Sequence, residues 1–241
     1  MTLIADSLRL RSETLCMAFI YTNKYHHFHA SSALPSPADP LDPHTLALAS
    51  LSLATKSTES PRRLREFLLP AYALLQPTAA PLTFPSTLYD ALRATLVTAE
   101  LILLRVLRFD IRLPQPLDYV PRFLSKALAL PGTEHLEGLA EDEREEVSVV
   151  EASETALGRE VRAVVLMAVR DYRLVNLFTA RTVAAACFFV AAERMGVVLV
   201  GVDETGREEW VKRLTSGRVE FEDFEDAVEE VGKVLGQPRE E

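Results

Sequence analysis

The chain has 241 residues, of which 48% are apolar and 25% charged, and its formal net charge is -9. This length suits one large or two small domains, and the apolar fraction is sufficient for a buried core. The acidic balance argues against a protein whose main work is to bind nucleic-acid backbones, because such binding draws on clustered Lys and Arg.

The chain contains two cysteines, Cys16 and Cys187, each inside an apolar helical run and far apart in sequence. This placement is typical of two buried thiols in a reducing compartment and implies no disulfide framework. No uncharged apolar run reaches the ~18 residues of a membrane span, and the first residues lack the order of a signal peptide. We therefore expect an intracellular, soluble protein with no membrane partner.

The residue pattern predicts an all-α fold. Glycine is scarce, alternating strand patterns are hard to find, and runs rich in Ala, Leu, Glu and Arg recur. In the first half, Asp42 is positioned to cap the third helix after a proline-rich loop. Helices are predicted at about 2–8, 12–31, 46–55, 61–75 and 86–109.

The third of these helices has a surface composed mostly of Ala and Ser, from Leu46 to Ala54. Neighbouring helices can approach such a surface closely, which predicts that it lies in the middle of a bundle. Lys56 follows at its end, and Pro61 is suited to open the next helix.

The fifth helix is apolar almost all round, which predicts that it is also a central helix of the bundle, surrounded by the others, and acts as its central post. Glu100 lies in the middle of this run with no opposite charge at three or four residues in either direction. An ionised carboxylate among Leu and Val is costly unless another element supplies a charge or donor. Lys56 is the first candidate for this partner, and Arg62, Arg63 and Arg65 are its competitors.

These segments resemble the first cyclin box. Cyclins carry L-A-x-K-x-E-E before the fourth helix and E-x-x-[IL]-L-x-x-L-x-F-D-[IL], followed by a proline, from the fifth helix onward. The residues in register are Leu53, Lys56, Glu59, Glu100, Leu107, Phe109, Asp110, Ile111 and Pro114. Within the family the pattern is most similar to the cyclin Q (cyclin M) type and to the cyclins of transcriptional kinases.

The resemblance implies an all-α fold of tandem five-helix cyclin boxes, the first at 1–114 and the second at 115–241. In the second, helices are predicted at about 115–130, 157–175, 179–195, 205–215 and 219–235. Residues 131–156 carry nine acidic residues against one Arg, which predicts an acidic loop. The alanines at 184–186 are expected to mark the counterpart of the small-residue helix.

The resemblance also implies a function. A cyclin binds a cyclin-dependent protein kinase as a heterodimer and activates it, in cell-cycle or transcription control, in the nucleus and also in the cytoplasm. The implied kinase-binding residues are Lys56, Glu59 and Glu100, which in the family contact the backbone near the kinase αC helix. One departure is Ser57-Thr58, which leaves the corner with only one of its two acidic residues, at Glu59.

Two other classes of function remain as alternatives. A transcription-factor module with the cyclin fold, binding DNA or the transcription machinery, predicts a basic face. An all-helical enzyme predicts clustered carboxylates or a cofactor motif, and the sequence contains neither. His26, His27 and His29 lack a nearby Cys or carboxylate to complete a zinc site. We therefore expect no catalytic residues, no cofactor and no metal.

Overall fold

The computed structural model of the protein describes residues 1–31, 41–127, 154–197, 199 and 206–236. Within these ranges the chain forms eleven α-helices and one 3-10 turn and has no β-strand. The predicted all-α class is therefore confirmed. None of the described helices is both long enough and apolar enough to cross a bilayer.

The chain divides into two compact units, Met1–Leu113 and Pro114–Glu241. The helices of the first unit are α1 (Thr2–Ser7), α2 (Ser12–Ser31), α3 (Pro43–Ser57), α4 (Leu64–Leu75) and α5 (Thr87–Val106). The second unit starts with a 3-10 turn (Pro116–Asp118) and continues with α6 (Val120–Ala127), α7 (Ala156–Ala168), α8 (Tyr172–Leu177), α9 (Ala180–Arg194), α10 (Arg207–Thr215) and α11 (Phe221–Gly236).

The small-residue helix α3 is the core of the first unit, as predicted. It packs against α2 and α5, and every residue from Ala49 to Thr55 is buried. Its start is fixed by Asp42, whose carboxylate accepts hydrogen bonds from the backbone N–H groups of His44 and Thr45 at 3.1 and 2.8 Å. Because Ala and Ser add little bulk, helices can pack closely on several of its sides.

The prediction that α5 is a central post is wrong. Its buried stripe is narrow, and Val97 and Leu101 are 38% and 50% exposed. The position belongs to α3, and α5 lies against it with only one covered face. Helix α5 was also expected to be the longest and to reach Phe109, but it ends at Val106 and has 20 residues, as does α2.

The start of α4 also differs from the prediction, since the helix begins at Leu64 and not at Pro61. The cause is the way in which α3 ends. Glu59 adopts a left-handed conformation (φ 55°), and the N–H of Ser60 donates back to the carbonyl of Thr55 at 2.9 Å. This helix-terminating motif turns the chain away, so that an extended segment precedes α4.

In the second unit the alanine-rich helix α9 takes the central place. It packs against α7 and α11, and all its residues from Thr182 to Ala192 are buried. An aromatic cluster covers it, with ring centroids of neighbouring members 5.7–6.3 Å apart: Phe188, Phe189, Trp210 and Phe224. Cys16 and Cys187 are both buried and free, as expected.

Two helix predictions in the second unit need correction. The helix expected at 157–175 is two helices, α7 and α8, because Asp171 caps a new start by accepting from the N–H groups of Arg173 and Leu174. The helix expected at 115–130 begins with the 3-10 turn and becomes α-helical only at Val120. The predicted acidic loop at 131–156 lies outside the described residues, except for its last three, where Thr155 caps α7.

Candidate functional site

Lys56 and Glu100 form an ion pair between the last turn of α3 and the middle of α5. The Lys56 Nζ lies 2.7 Å from the Glu100 Oε2, which confirms the predicted partner of Glu100. The competing arginines are not involved: Arg65, for example, lies over the ring of Phe84, 5.8 Å from its centroid. We call this contact the α3–α5 ion pair.

The α3–α5 ion pair is asymmetric in its exposure to solvent. The Lys56 side chain is 44% exposed, whereas that of Glu100 is 9% exposed. Lys56 is also well placed at the C-terminal end of α3, where a cation interacts favourably with the helix dipole. The pair therefore presents a cation at the surface and holds its carboxylate beneath.

The second carboxylate oxygen of Glu100 is not satisfied. Oε1 is buried and has no hydrogen-bond partner among the described residues. A carboxylate has room for about four hydrogen bonds, and a buried acceptor without a donor costs about 1–3 kcal/mol. The pair thus retains one acceptor oxygen that makes no hydrogen bond within the described part of the chain.

Tyr21 on α2 makes hydrogen bonds to the segment that follows Lys56 and to the segment that follows α5. The Tyr21 hydroxyl donates to the Ile111 carbonyl at 2.5 Å and lies 2.9 Å from the Ser57 Oγ. Burial raises the pKa of Tyr21 to about 12. Since Ser57 ends α3 and Ile111 follows α5, this hydroxyl ties together the two helix ends that flank the ion pair.

Glu59 does not join the α3–α5 ion pair. Its carboxylate lies 3.5 Å from the Arg112 guanidinium, and both side chains are about 80% exposed. An ion pair this exposed contributes at most about 1 kcal/mol. Of the three predicted site residues, the structure therefore brings Lys56 and Glu100 together and leaves Glu59 at the neighbouring surface.

Phe109 is an exposed aromatic residue just beyond α5, with 68% of its surface accessible. The turn that carries it closes with a hydrogen bond from its N–H to the Leu104 carbonyl at 2.8 Å. Both Arg108 and Phe109 have left-handed backbones, with φ of 52° and 61°. Such conformations cost non-glycine residues about 1 kcal/mol or more, so the turn that leaves this ring in solvent is itself strained.

Phe109 was recognised in the sequence as a motif position but not as a site residue. The missed signal is the Arg108-Phe109 pair, which occupies the positions after a helix where glycine is usual. Leu101, which is 50% exposed on α5, belongs to the apolar run from which the sequence predicts a central helix. An apolar residue on a helix gives the same sequence signal whether it packs inward or faces a partner.

The histidines at the end of α2 lie beside aromatic rings. The rings of His26 and His29 pack against Tyr25, with centroids 5.9 and 4.4 Å apart. The described residues contain no group of three or more His, Cys, Asp or Glu side chains arranged to hold a metal ion.

No protein-family model matches this chain.

Proposed function

We propose that this protein is a cyclin-type regulatory subunit, built of two tandem cyclin boxes, that binds and activates a cyclin-dependent protein kinase. The observation that carries the proposal is the α3–α5 ion pair. Two charged residues 44 positions apart meet at 2.7 Å where the cyclin-like motifs require them to meet. The motif resemblance is greatest to cyclins of the Q type and to those of transcriptional kinases.

The chemistry of the pair suits a contact with a partner's backbone. The half-exposed Lys56 ammonium has donors left for a carbonyl, and Glu100 has an unused acceptor for an N–H. In cyclins the two equivalent side chains bond the backbone near the kinase αC helix. Oε1 is buried in the free chain, so a bond from a partner N–H requires this oxygen to become accessible on binding, and the bond would then remove the cost of the unsatisfied oxygen.

Two large apolar side chains close to the pair in sequence are exposed. Phe109 and Leu101 are 68% and 50% exposed, at the end of α5 and one residue beyond Glu100. Buried aromatic anchors surrounded by polar contacts account for most of the binding energy in typical protein interfaces. We assign Phe109 the role of that anchor and the α3–α5 ion pair the role of a polar contact in the same interface.

Activation follows from preferential binding to one kinase conformation. A protein kinase holds ATP productively only when its αC Glu pairs with its β3 Lys. A subunit that binds the inward position of αC more tightly than the outward one shifts the kinase toward its active state. The chain itself then needs no catalytic residue, cofactor or metal, and it acts in the nucleus and also in the cytoplasm.

The test is capture of the tagged chain from its own cells, followed by identification of any protein kinase present at one-to-one stoichiometry. The charge-swapped variant Lys56→Glu with Glu100→Lys keeps an ion pair but reverses its polarity toward a partner. It should fold and lose the kinase, because truncation or reversal of such a charged contact costs about 2–5 kcal/mol of binding.

The matched control is Lys212→Glu, which reverses an exposed charge on α10 in the second unit. It should retain the kinase. Absence of a stoichiometric kinase from the wild-type capture, or full retention of the kinase by a folded charge-swapped variant, would overturn the proposal.

A further inference from the structure

A basic pocket lies in the second unit, between α6 and the turn that follows α10. Its volume is about 250 Å³, and we call it the α6–α10 pocket. Four cationic side chains line it, together with one carboxylate, that of Asp118: Arg122, Lys126, Arg181 and Arg218. Residues 114–241 contain 15 Lys or Arg against 26 Asp or Glu, so this concentration of positive charge runs against the charge of its own unit.

Two of the four cationic side chains make hydrogen bonds within the fold. The Lys126 Nζ donates to the Ser216 Oγ at 2.9 Å and approaches the Leu214 carbonyl at 3.4 Å. The Arg181 guanidinium donates to the Thr215 carbonyl at 3.2 Å and lies over the Tyr119 ring, 4.8 Å from its centroid. Both therefore cap the C-terminal end of α10, where cations are favoured.

The other two cations have no such explanation. The side chains of Arg122 and Arg218 are exposed and make no hydrogen bond or ion pair within the described ranges. Asp118, the one carboxylate of the pocket, accepts at Oδ2 from the Gln115 N–H at 3.0 Å, and its single negative charge offsets only one of the four cations. In the described part of the chain the pocket thus combines two anchored cations with two guanidinium groups that have no partner there, and like charges gathered in this way repel unless an anion binds between them.

We propose that the α6–α10 pocket binds the phosphoryl group of a phosphoserine or phosphothreonine in a partner peptide. A phosphoryl group carries about -1.5 to -2 charges and three acceptor oxygens, and guanidinium groups bind it through two parallel hydrogen bonds. Clusters of Arg are a recurrent means of recognising phosphorylated motifs.

The size and setting of the pocket favour this ligand over other phosphates. Pockets for whole drug-sized ligands span about 300–1,000 Å³, so the α6–α10 pocket is small for a nucleotide. A nucleic acid would need an extended basic stripe, whereas these cations form one local cluster in an acidic unit. Tyr119 and Phe123 add an apolar wall against which the side-chain carbons of a phosphothreonine can pack.

The test uses the full chain and capped phosphothreonine (N-acetyl-phosphothreonine-N-methylamide), with capped threonine and inorganic phosphate as comparison ligands. Amide NMR shifts at Ser216 and Gly217 should move on titration with the phosphothreonine probe. The double variant Arg122→Gln with Arg218→Gln should bind it at least about tenfold more weakly, since each charged hydrogen bond is worth about that factor.

The charge-matched control is Arg159→Gln with Lys212→Gln, which removes two exposed positive charges from the same unit outside the pocket. It should bind the probe as the wild type does. Both double variants alter exposed side chains, and circular dichroism melts verify that they fold.

Four results would overturn the proposal: no shifts with the phosphothreonine probe, equal shifts with capped threonine, equal affinity for inorganic phosphate, or equal weakening by the charge-matched control. The third would identify a site for free phosphate, and the fourth a non-specific effect of charge. The experiment involves no kinase, so its result is independent of the function proposed for the first unit.

Discussion

Replacing Lys56 by Met removes the cation of the α3–α5 ion pair and leaves the Glu100 carboxylate, 9% exposed, without its one hydrogen-bond partner among the described residues. Breaking a fully buried pair in this way costs about 3–5 kcal/mol. Because the Lys56 side chain is 44% exposed and water can enter the vacated position, we discount this to about 1–3 kcal/mol in the free energy of unfolding.

The change at the other partner, Glu100→Gln, should lower the free energy of unfolding by less than Lys56→Met does. It leaves an ammonium group that water can solvate and an amide that can still bond, so we expect a loss of about 1 kcal/mol or less. The double variant Lys56→Met with Glu100→Gln removes both charges and should be more stable than Lys56→Met alone. This order of stabilities depends directly on the asymmetric burial of the two side chains.

The assay is urea unfolding followed by far-UV circular dichroism. Trp210, the only tryptophan of the chain, lies in the second unit, so its fluorescence records that unit separately. A Lys56→Met protein as stable as the wild type, or a Glu100→Gln protein less stable than Lys56→Met, would refute the reasoning about the buried carboxylate.

Three further predictions concern other parts of the chain. Burial raises the pKa of Tyr21 from 10.0 to about 12, so the folded state holds this proton more tightly than the unfolded state does. The free energy of unfolding should therefore fall between pH 10 and pH 12. The Tyr21→Phe variant should lack the part of this fall that comes from Tyr21. Cys16 and Cys187 are buried, and burial raises the pKa of Cys187, so a thiol reagent such as DTNB should react with them only as the chain unfolds; rapid reaction of the native protein would contradict their placement. Duplex DNA should not bind measurably at physiological salt in a gel-shift or anisotropy assay, because the formal net charge is -9; submicromolar binding would instead support the transcription-factor alternative.

The features that could be predicted from sequence are those in which one physical requirement dominates. The Ala and Ser surface of α3 determines a central position, because only small residues permit close approach from several sides. The lone charge of Glu100 in an apolar helix requires a partner from another element, and Lys56 supplies it. The cyclin-like motifs identified the same pair without any knowledge of distance.

The features that were missed depend on tertiary context. Val97 and Leu101 have the apolar character of core residues, and no periodicity distinguishes a helix face that packs inward from one left exposed. The late start of α4 follows from the left-handed conformation of Glu59, which could not be predicted from the residue type. The orphaned Oε1 of Glu100 and the cations of the α6–α10 pocket are products of side-chain placement, which spacing along the chain does not reveal.

The central claim is that the surface around the α3–α5 ion pair binds a kinase. A substitution at Phe109 can test kinase binding without lowering the stability of the fold. Phe109→Gly relieves a left-handed backbone and removes an exposed ring, so it should stabilise the fold by up to about 1 kcal/mol. If the ring anchors the kinase, the same change should weaken kinase binding by about 2 kcal/mol, or roughly thirtyfold. The neighbouring change Arg108→Gly relieves the same kind of backbone and leaves the ring in place.

The decisive measurement is therefore the dissociation constant of the co-purifying kinase for the wild type, Phe109→Gly and Arg108→Gly, beside their unfolding free energies. We predict that Arg108→Gly binds as the wild type does and that Phe109→Gly binds roughly thirtyfold more weakly although it is at least as stable. Equal binding of the kinase by all three proteins would contradict the assignment of this surface.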